Sequence, residues 1–381
     1  MAAILDRIAQ KAQQQERLTR EDALALFGTR DIISLGRLAD QVKRSRWGDR
    51  AHFVMNRHIN PTNVCVLSCR FCDFATKRGR PNAYEMTIHE VLERCNQELR
   101  EVHIVGGLHP DWTWDYYLEM FRAIKANFPQ IQIKAWTAVE IDYFSKKFRL
   151  SVEEVLRQLQ AVGLVALPGG GAEVFSERVR KALYPFKIGA PRWLEIHKIA
   201  HRLGIPTNAT LLYGHMETHE ERVDHMLKLR ALQDETHGFT PPHVAGPALQ
   251  GGAGFMSFIP LAYQPGKTHV VTRQAPATDD LKTIAVARLL LDNFPHIKAY
   301  WVTMGEEIAS VALHFGADDL DGTIGEERIM HAADAASPVS LTRERLVELI
   351  RESGCTPVER DALYRTIQVY DDSHCESAVS Q

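Results

Sequence analysis

From residue 51 to about residue 350, short apolar runs alternate with amphipathic ones, and this alternation constrains the fold more than any other feature of the chain. Strands are expected at 53–60, 101–106, 131–139, 163–168, 206–213, 255–262, 296–302 and 318–323. Helices are expected near 87–100, 114–127, 151–162, 191–203, 219–236, 279–294, 305–315 and 341–353. Thr87-Ile-His-Glu90, Ser151-Val-Glu-Glu154 and Thr218-His-Glu-Glu221 are capping boxes, in which each end of the motif satisfies a free backbone N–H of the helix start. Helices joined to short apolar strands eight times over predict an α/β fold, a (β/α)8 TIM-type barrel, complete or nearly so. A doubly wound open sheet is the alternative, but no G-x-G-x-x-G follows the first strand.

Residues 1–50 read as an N-terminal helical extension that packs on the barrel and closes one end of it. Thr19-Arg-Glu-Asp22 starts one helix, with Gly28 as its stop, and Ile32, Leu35, Ala39 and Val42 pattern another, weakened by Gly36. Lys43-Arg44-Ser45-Arg46 reads as a solvated helix end. Residues 51–370 form the barrel domain and 371–381 a polar, disordered tail. Residues 238–255, rich in Gly, Pro and Ala, read as an inserted mobile loop, either a surface excursion or a lid. A net charge of −3 argues against a nucleic-acid partner. No apolar run approaches the roughly 18 residues that span a bilayer. No signal peptide opens the chain, so a cytoplasmic location is expected.

The chemistry concentrates in Cys65-Val-Leu-Ser-Cys69-Arg-Phe-Cys72, three thiols spaced C-x3-C-x2-C in one loop. A zinc site or an ordinary cubane cluster takes four protein ligands, and Cys95, Cys355 and Cys375 are too scattered to supply a fourth. A [4Fe–4S] cluster on three cysteines leaves one iron open to a small ligand. S-adenosylmethionine (SAM), chelating through its amino and carboxylate groups, is the ligand this spacing suggests. The competing readings are a zinc knuckle completed by His58 or His89, and three unrelated buried thiols.

The context "HINPTNVC…CRFCDF" resembles the radical SAM enzymes, and within them the menaquinone and deazaflavin branch. The strings "EVHIVGGLHPD", "KAWTAVEI", "LPGGGAEVFSERVRK", "NATLLYGHMET", "LDNFPHIKAYWV" and "FGADDLDGTIGEE" resemble the aminofutalosine synthases of the futalosine route to menaquinone. The resemblance implies a transferase that adds the 5′-deoxyadenosyl group of SAM to 3-[(1-carboxyvinyl)oxy]benzoate, with rearrangement and loss of CO2. It also implies an electron donor such as flavodoxin or ferredoxin. The alternatives are a dehypoxanthine futalosine cyclase, a deazaflavin-synthase-like enzyme, or, in another class, a non-catalytic iron–sulfur carrier.

In such a barrel the functional groups gather at the C-terminal ends of the strands. Cys65, Cys69 and Cys72 follow the first strand as metal ligands, with Phe71 among the cofactor contacts. Gly106-Gly107 ends the second, where backbone groups meet the methionyl end of SAM. Leu108 stands where many radical SAM enzymes have Glu. Glu140 is expected to end the third strand and accept from the ribose hydroxyls or the methionyl ammonium. Gly169, Gly170 and Gly171 follow the fourth, three glycines that mark unusual backbone angles or close approach, with Glu173 orienting a polar group of SAM. Tyr213 to Glu217 follow the fifth as an adenine- and substrate-side loop, in which His215 handles a proton. Glu217 reads alternatively as the acidic first turn of the next helix. Binding an acid with two carboxylates needs cations near the barrel mouth, for which the sequence singles out no particular Arg or Lys.

Overall fold

The structure, a computed structural model, describes residues 2–14, 16–237 and 254–371. Most of the expected 238–255 insertion and the tail beyond residue 371 lie outside the described residues. The strands are β1 (Arg50–Val54), β2 (Asn56–Ile59), β3 (Glu101–Ile104), β4 (Gln132–Ala135), β5 (Leu164–Ala166), β6 (Thr207–Tyr213), β7 (Phe255–Ala262), β8 (His296–Ile297), β9 (Asp319–Gly322), β10 (Thr356–Arg360) and β11 (Thr366–Val369).

They form three sheets, in the orders β2-β3-β4-β5, β6-β7-β8 and β11-β10-β1-β9. Every pairing is parallel except the β10–β11 hairpin. Single parallel bridges, Leu167 to Thr207 and Lys298 to Asp319, link one sheet to the next. The expected first strand splits at Met55, whose carbonyl accepts from Arg100 and Glu101. Thr323 Oγ accepts from Asn56 N–H and donates to the Asn56 carbonyl, so the chain passes from the β1 sheet into the β2 sheet at that point. The architecture is α/β with parallel sheets.

Alternation along each strand divides two environments. Val102, Ile104, Ile133, Ala135, Leu211, Phe258 and Ile297 are buried in the apolar core. Glu101 and Asn56 point the other way, into a buried polar network. There Lys134 pairs with Glu101 at 2.6 Å, Lys298 with Asp321 at 3.1 Å and Arg360 with Asp319 at 2.6 Å. Three cations face three carboxylates, so no net charge is stranded out of water.

The three capping boxes form as expected, and so does the one at Thr19–Asp22. Elsewhere boundaries differ for identifiable reasons. The helix expected over 87–100 covers only Ile88–Leu92, because Asn96 Oδ1 accepts from the N–H groups of Glu98 and Leu99 and turns the chain. The strand expected to run to 139 stops at Ala135. Trp136 has φ +60°, Thr137 is an N-cap, and helix Ala138–Phe148 follows. The last two strands lie beyond the expected alternation, and Glu359 and Arg360 are buried in β10.

Helices Ala2–Gln13, Arg20–Gly28 and Ile32–Trp47 precede β1. Gly36 is tolerated within its helix because a Cβ there would fall 2.7 Å from the Phe315 ring, which occupies the space. The expectation of a solvated basic helix end holds for Arg44 and Ser45, which are exposed, and is corrected for Lys43 and Arg46. Lys43 is fully buried with its ammonium 3.7 Å from Cys355 Sγ, and Arg46 donates to the carbonyls of Asp292 and Phe294. Burial lowers the Arg46 pKa to about 10. The carbonyls leading into β8 supply the acceptors that hold Arg46 inward, and Trp47 Nε1 donates to the next of them, Pro295 O. Trp47 stacks on His296, whose other face stacks on Tyr364.

The buried histidines set a pH dependence. Burial holds His225 down at about 3 and His296 at about 4, and lowers His58, His103, His197 and His215. The unfolded chain titrates near 6.5, so it takes up these protons first and stability falls with pH below that value. Glu140, raised by burial to about 7, and Asp280, raised by burial to about 6, work in the opposite direction, being protonated earlier in the fold. His331, raised to about 9 chiefly by its bond to Glu327, joins them between pH 7.5 and 6.5 and is charged in both states below that. The depressed histidines outnumber the raised carboxyls, and each net proton is worth about 1.4 kcal/mol per pH unit. The midpoint of anaerobic urea unfolding is expected to drop markedly from pH 7.5 to pH 5.0. An equal or higher midpoint at pH 5.0 would contradict this account.

Candidate active site

Cys65, Cys69 and Cys72 sit half-buried on the loop that follows β2. The loop is held at several points: Cys65 N–H donates to Thr76 O, Val66 N–H to Leu108 O and Arg70 N–H to Leu183 O. Lys77 donates to three consecutive carbonyls, those of Cys65, Val66 and Leu67, at 2.8 to 3.0 Å. One ammonium thus gathers the first turn of the loop. Burial pushes the Cys69 thiol up to about 11 and raises that of Cys72, while the Lys187 ammonium pulls both back. A cation beside thiols favours the thiolate that iron requires.

Among the described residues, only His52, His296 and Asp318 bring three ligand atoms of this kind within 4.8 Å of one another. The cysteine sulfurs are therefore spread more widely than one zinc ion at about 2.3 Å would draw them. Three separated thiols on one braced loop, beside a buried cation, fit a multi-iron cluster.

The Gly106-Gly107 segment after β3 lies against the approach to this loop. Gly107 N–H donates to Thr62 O at 2.8 Å. A Cβ on Gly107 would fall 2.2 Å from Val64 O, and one on Gly106 2.9 Å from Thr62 O. Both glycines allow two backbones to touch. Glu140 is placed differently from its sequence expectation: it is the third residue of helix Ala138–Phe148 and does not end a strand. Its carboxylate accepts from Gly106 N–H at 2.9 Å and Thr137 N–H at 2.7 Å, and burial raises its pKa to about 7 against those bonds. It ties the Gly-Gly segment to the next helix.

The Gly169–Gly171 turn after β5 combines the two reasons for glycine. A Cβ on Gly169 would lie 2.6 Å from the Ala209 backbone, and Gly171 has φ +84°. Thr210 Oγ donates to Gly169 O and Trp193 Nε1 to Gly170 O. Glu173 pairs with Lys187. Burial lowers the Lys187 pKa, but Glu173 and Cys69 outweigh it and leave the ammonium above the usual lysine range. Lys187 also lies over the rings of Phe71 and Tyr184, at 5.4 and 5.8 Å. Through it the glycine turn and the cysteine loop meet.

The loop after β6 is closed on itself. Glu217 accepts from Gly214 N–H and His215 N–H and pairs with Arg222. His215 Nε2 donates to Leu212 O and Nδ1 accepts from Met216 N–H, so burial keeps the ring neutral and both nitrogens are spent within the loop. Tyr213 is fully buried with its hydroxyl donating to Asp280 Oδ1 at 2.7 Å, which aims the ring at helix Ala277–Leu290. The side chain expected to meet the cofactor faces outward, and only the Tyr213 backbone is left on the strand end. Lys77, Lys187 and Tyr184 were missed. Nothing in their local spacing marks them, since each acts on partners ten or more residues away that only the fold brings near.

Residues 59–229 match the family model described as the radical SAM superfamily, and residues 252–372 that of the CofH/MqnC C-terminal region. The chain is 48% identical over 377 residues to the aminodeoxyfutalosine synthase of Thermus thermophilus, covering 96% of each. It is 40% identical over 356 residues to a 5-amino-6-(D-ribitylamino)uracil–L-tyrosine 4-hydroxyphenyl transferase of Methanopyrus kandleri, covering 91% of this chain and 92% of that one. A cyclic dehypoxanthine futalosine synthase of Streptomyces coelicolor is 37% identical over 379 residues, covering 97% and 90%. The crystal structure of methylornithine synthase superposes with a TM-score of 0.71 at 16% identity, over 92% of this chain and 97% of that one, a likeness of fold.

Proposed function

We infer the reaction from one premise: the chain belongs to the radical SAM superfamily, whose enzymes use a [4Fe–4S] cluster and SAM. We propose that it catalyses the aminodeoxyfutalosine synthase reaction of menaquinone biosynthesis, joining the 5′-deoxyadenosyl group of SAM to 3-[(1-carboxyvinyl)oxy]benzoate with rearrangement and loss of CO2. What supports this reading is the 48% identity to the Thermus thermophilus synthase across 96% of both chains, above the 40% and 37% to the other two activities. We read the linked sheets as one (β/α)8 barrel, with β1 and β2 as a single strand and β10 and β11 added outside. The two bridges between sheets support that reading.

The cluster and SAM supply, when bound, a 5′-deoxyadenosyl radical, and the chain's own work is to hold and shield. Cys65, Cys69 and Cys72 hold the cluster, with Phe71 and Lys187 beside it. The backbones of Gly106, Gly107, Gly169 to Gly171 and Tyr213 line the strand ends toward SAM. Glu140, Glu173, His215 and Glu217 act as positioning residues, because each spends its polar atoms bracing one of those loops. A one-electron donor such as flavodoxin or ferredoxin serves the cluster. No helix among the described residues is long and apolar enough to cross a membrane, and we assign the enzyme to the reducing cytoplasm that clustered thiols favour.

Anaerobic turnover with SAM labelled in its ribose tests the reading. Label is expected in a product that also contains the benzoate ring. Label found wholly as free 5′-deoxyadenosine, with consumption of an aromatic nucleoside, would replace the synthase with a cyclase.

A further inference from the structure

Two histidines on neighbouring strands have no part in the site described so far. The β2–β3 register sets His58 directly beside His103, with ring centroids 4.4 Å apart. They stand two residues beyond Asn56 and Glu101, on the same strand faces, and so one step nearer the cysteine loop than the buried ion-pair network. His58 is 7% exposed, and its Nε2 has no hydrogen-bond partner among the described residues. An unpaired polar atom at that depth is destabilising, a cost that a bound ligand would remove. His103 is only half-buried, so the pair is reachable from the strand ends.

We propose that His58 and His103 form the seat for a carboxylate of the substrate, receiving it between two imidazole N–H groups. This rests on the acidic substrate named above. The surrounding charges explain why imidazoles are used. Lys134, Lys298, Asp321 and Glu101 face the pair from β3, β4, β9 and the segment after β8, and the lysines are already matched in Lys134–Glu101 and Lys298–Asp321. Glu327 faces His58 as well, and Tyr300 stacks over it at 6.4 Å. None of these offers an uncommitted cation.

Burial lowers the pKa of both rings, so in the absence of substrate the pair is neutral. Two adjacent imidazolium ions would repel, but one anion between two neutral rings makes a single protonation favourable. The arriving carboxylate therefore draws in one proton from solvent, shared by the two rings. By linkage, affinity then weakens by up to about tenfold per pH unit where the free pair is neutral.

The test is calorimetric binding of 3-[(1-carboxyvinyl)oxy]benzoate to oxidised, cluster-loaded enzyme with SAM and no reductant. Titrations in buffers of different ionisation enthalpy report proton exchange. Wild type is expected to bind with uptake approaching one proton at pH 7.5. His58→Gln and His103→Gln should keep iron content and SAM binding, weaken the acid by at least about tenfold, and lose the proton uptake. Tight binding by both variants, or wild-type binding without proton uptake, overturns the seat while leaving the synthase reading to its label test. Wild type that binds no acid at all overturns both. A variant that loses iron is replaced by the other, and the wild-type proton count decides regardless.

Discussion

Replacing any one of Cys65, Cys69 or Cys72 with alanine is expected to abolish SAM cleavage, whereas Cys95→Ala and Cys355→Ala retain it. The five thiols differ in surroundings, not in chemistry. Cys95 lies buried behind helix Ile88–Leu92, donating weakly to Val91 O, and burial pushes its pKa up to about 11. Cys355 is enclosed against the Lys43 ammonium at the opposite end of the strands from the cysteine loop. Neither can approach iron without unfolding what surrounds it. The other three share one loop, braced by Lys77 and faced by Lys187. Iron content after anaerobic reconstitution, close to four per chain in wild type, and the rate of SAM cleavage are the readouts. Full loss of the cluster in Cys95→Ala would show that a ligand has been assigned wrongly.

What the sequence revealed, and what it hid, follows from the range of the interactions. Apolar periodicity and capping boxes are local, so the strand–helix alternation and the Thr87, Ser151 and Thr218 helix starts were legible. The triple glycine was legible too, because three such residues in a row have a backbone reason wherever they fall; Gly169 and Gly171 each show one. Thr137-Ala-Val-Glu140 is also a capping box, but its first residues continue an apolar strand pattern, and Glu140 was assigned to the strand end in consequence. Charged residues misled most. Lys43 is buried and Arg46 half-buried against acceptors supplied by distant segments, which no window of sequence contains. Lys187 was invisible for a similar reason: beside nearby Tyr184, its partners are Glu173 and the ring of Phe71, which only the fold brings to it.

The same contrast between local and distant contact makes one methyl group decisive. Gly107→Ala is expected to cost at least about a hundredfold in SAM cleavage while leaving most of the helical structure in place. A Cβ at this position would sit 2.2 Å from Val64 O, 2.6 Å from Val64 C and 3.0 Å from Asn63 C. All three are backbone atoms, so no side chain can swing aside to relieve the clash. Either Gly107 or the Thr62–Val64 segment must move by about an ångström, and misplacement of that size at reacting groups costs about a hundredfold in rate. That segment runs directly into Cys65, and Gly107 N–H already clamps it through Thr62 O. The displacement therefore passes into the cluster loop and not into the hydrophobic core. Gly28→Ala is the matched control, since no atom lies within 4 Å of its added Cβ and its backbone is not left-handed. Circular dichroism, iron per chain and SAM-cleavage rate should separate the two variants, with Gly28→Ala unchanged in all three. If Gly107→Ala cleaves SAM as fast as wild type, the glycine pair does not set the position of the cysteine loop.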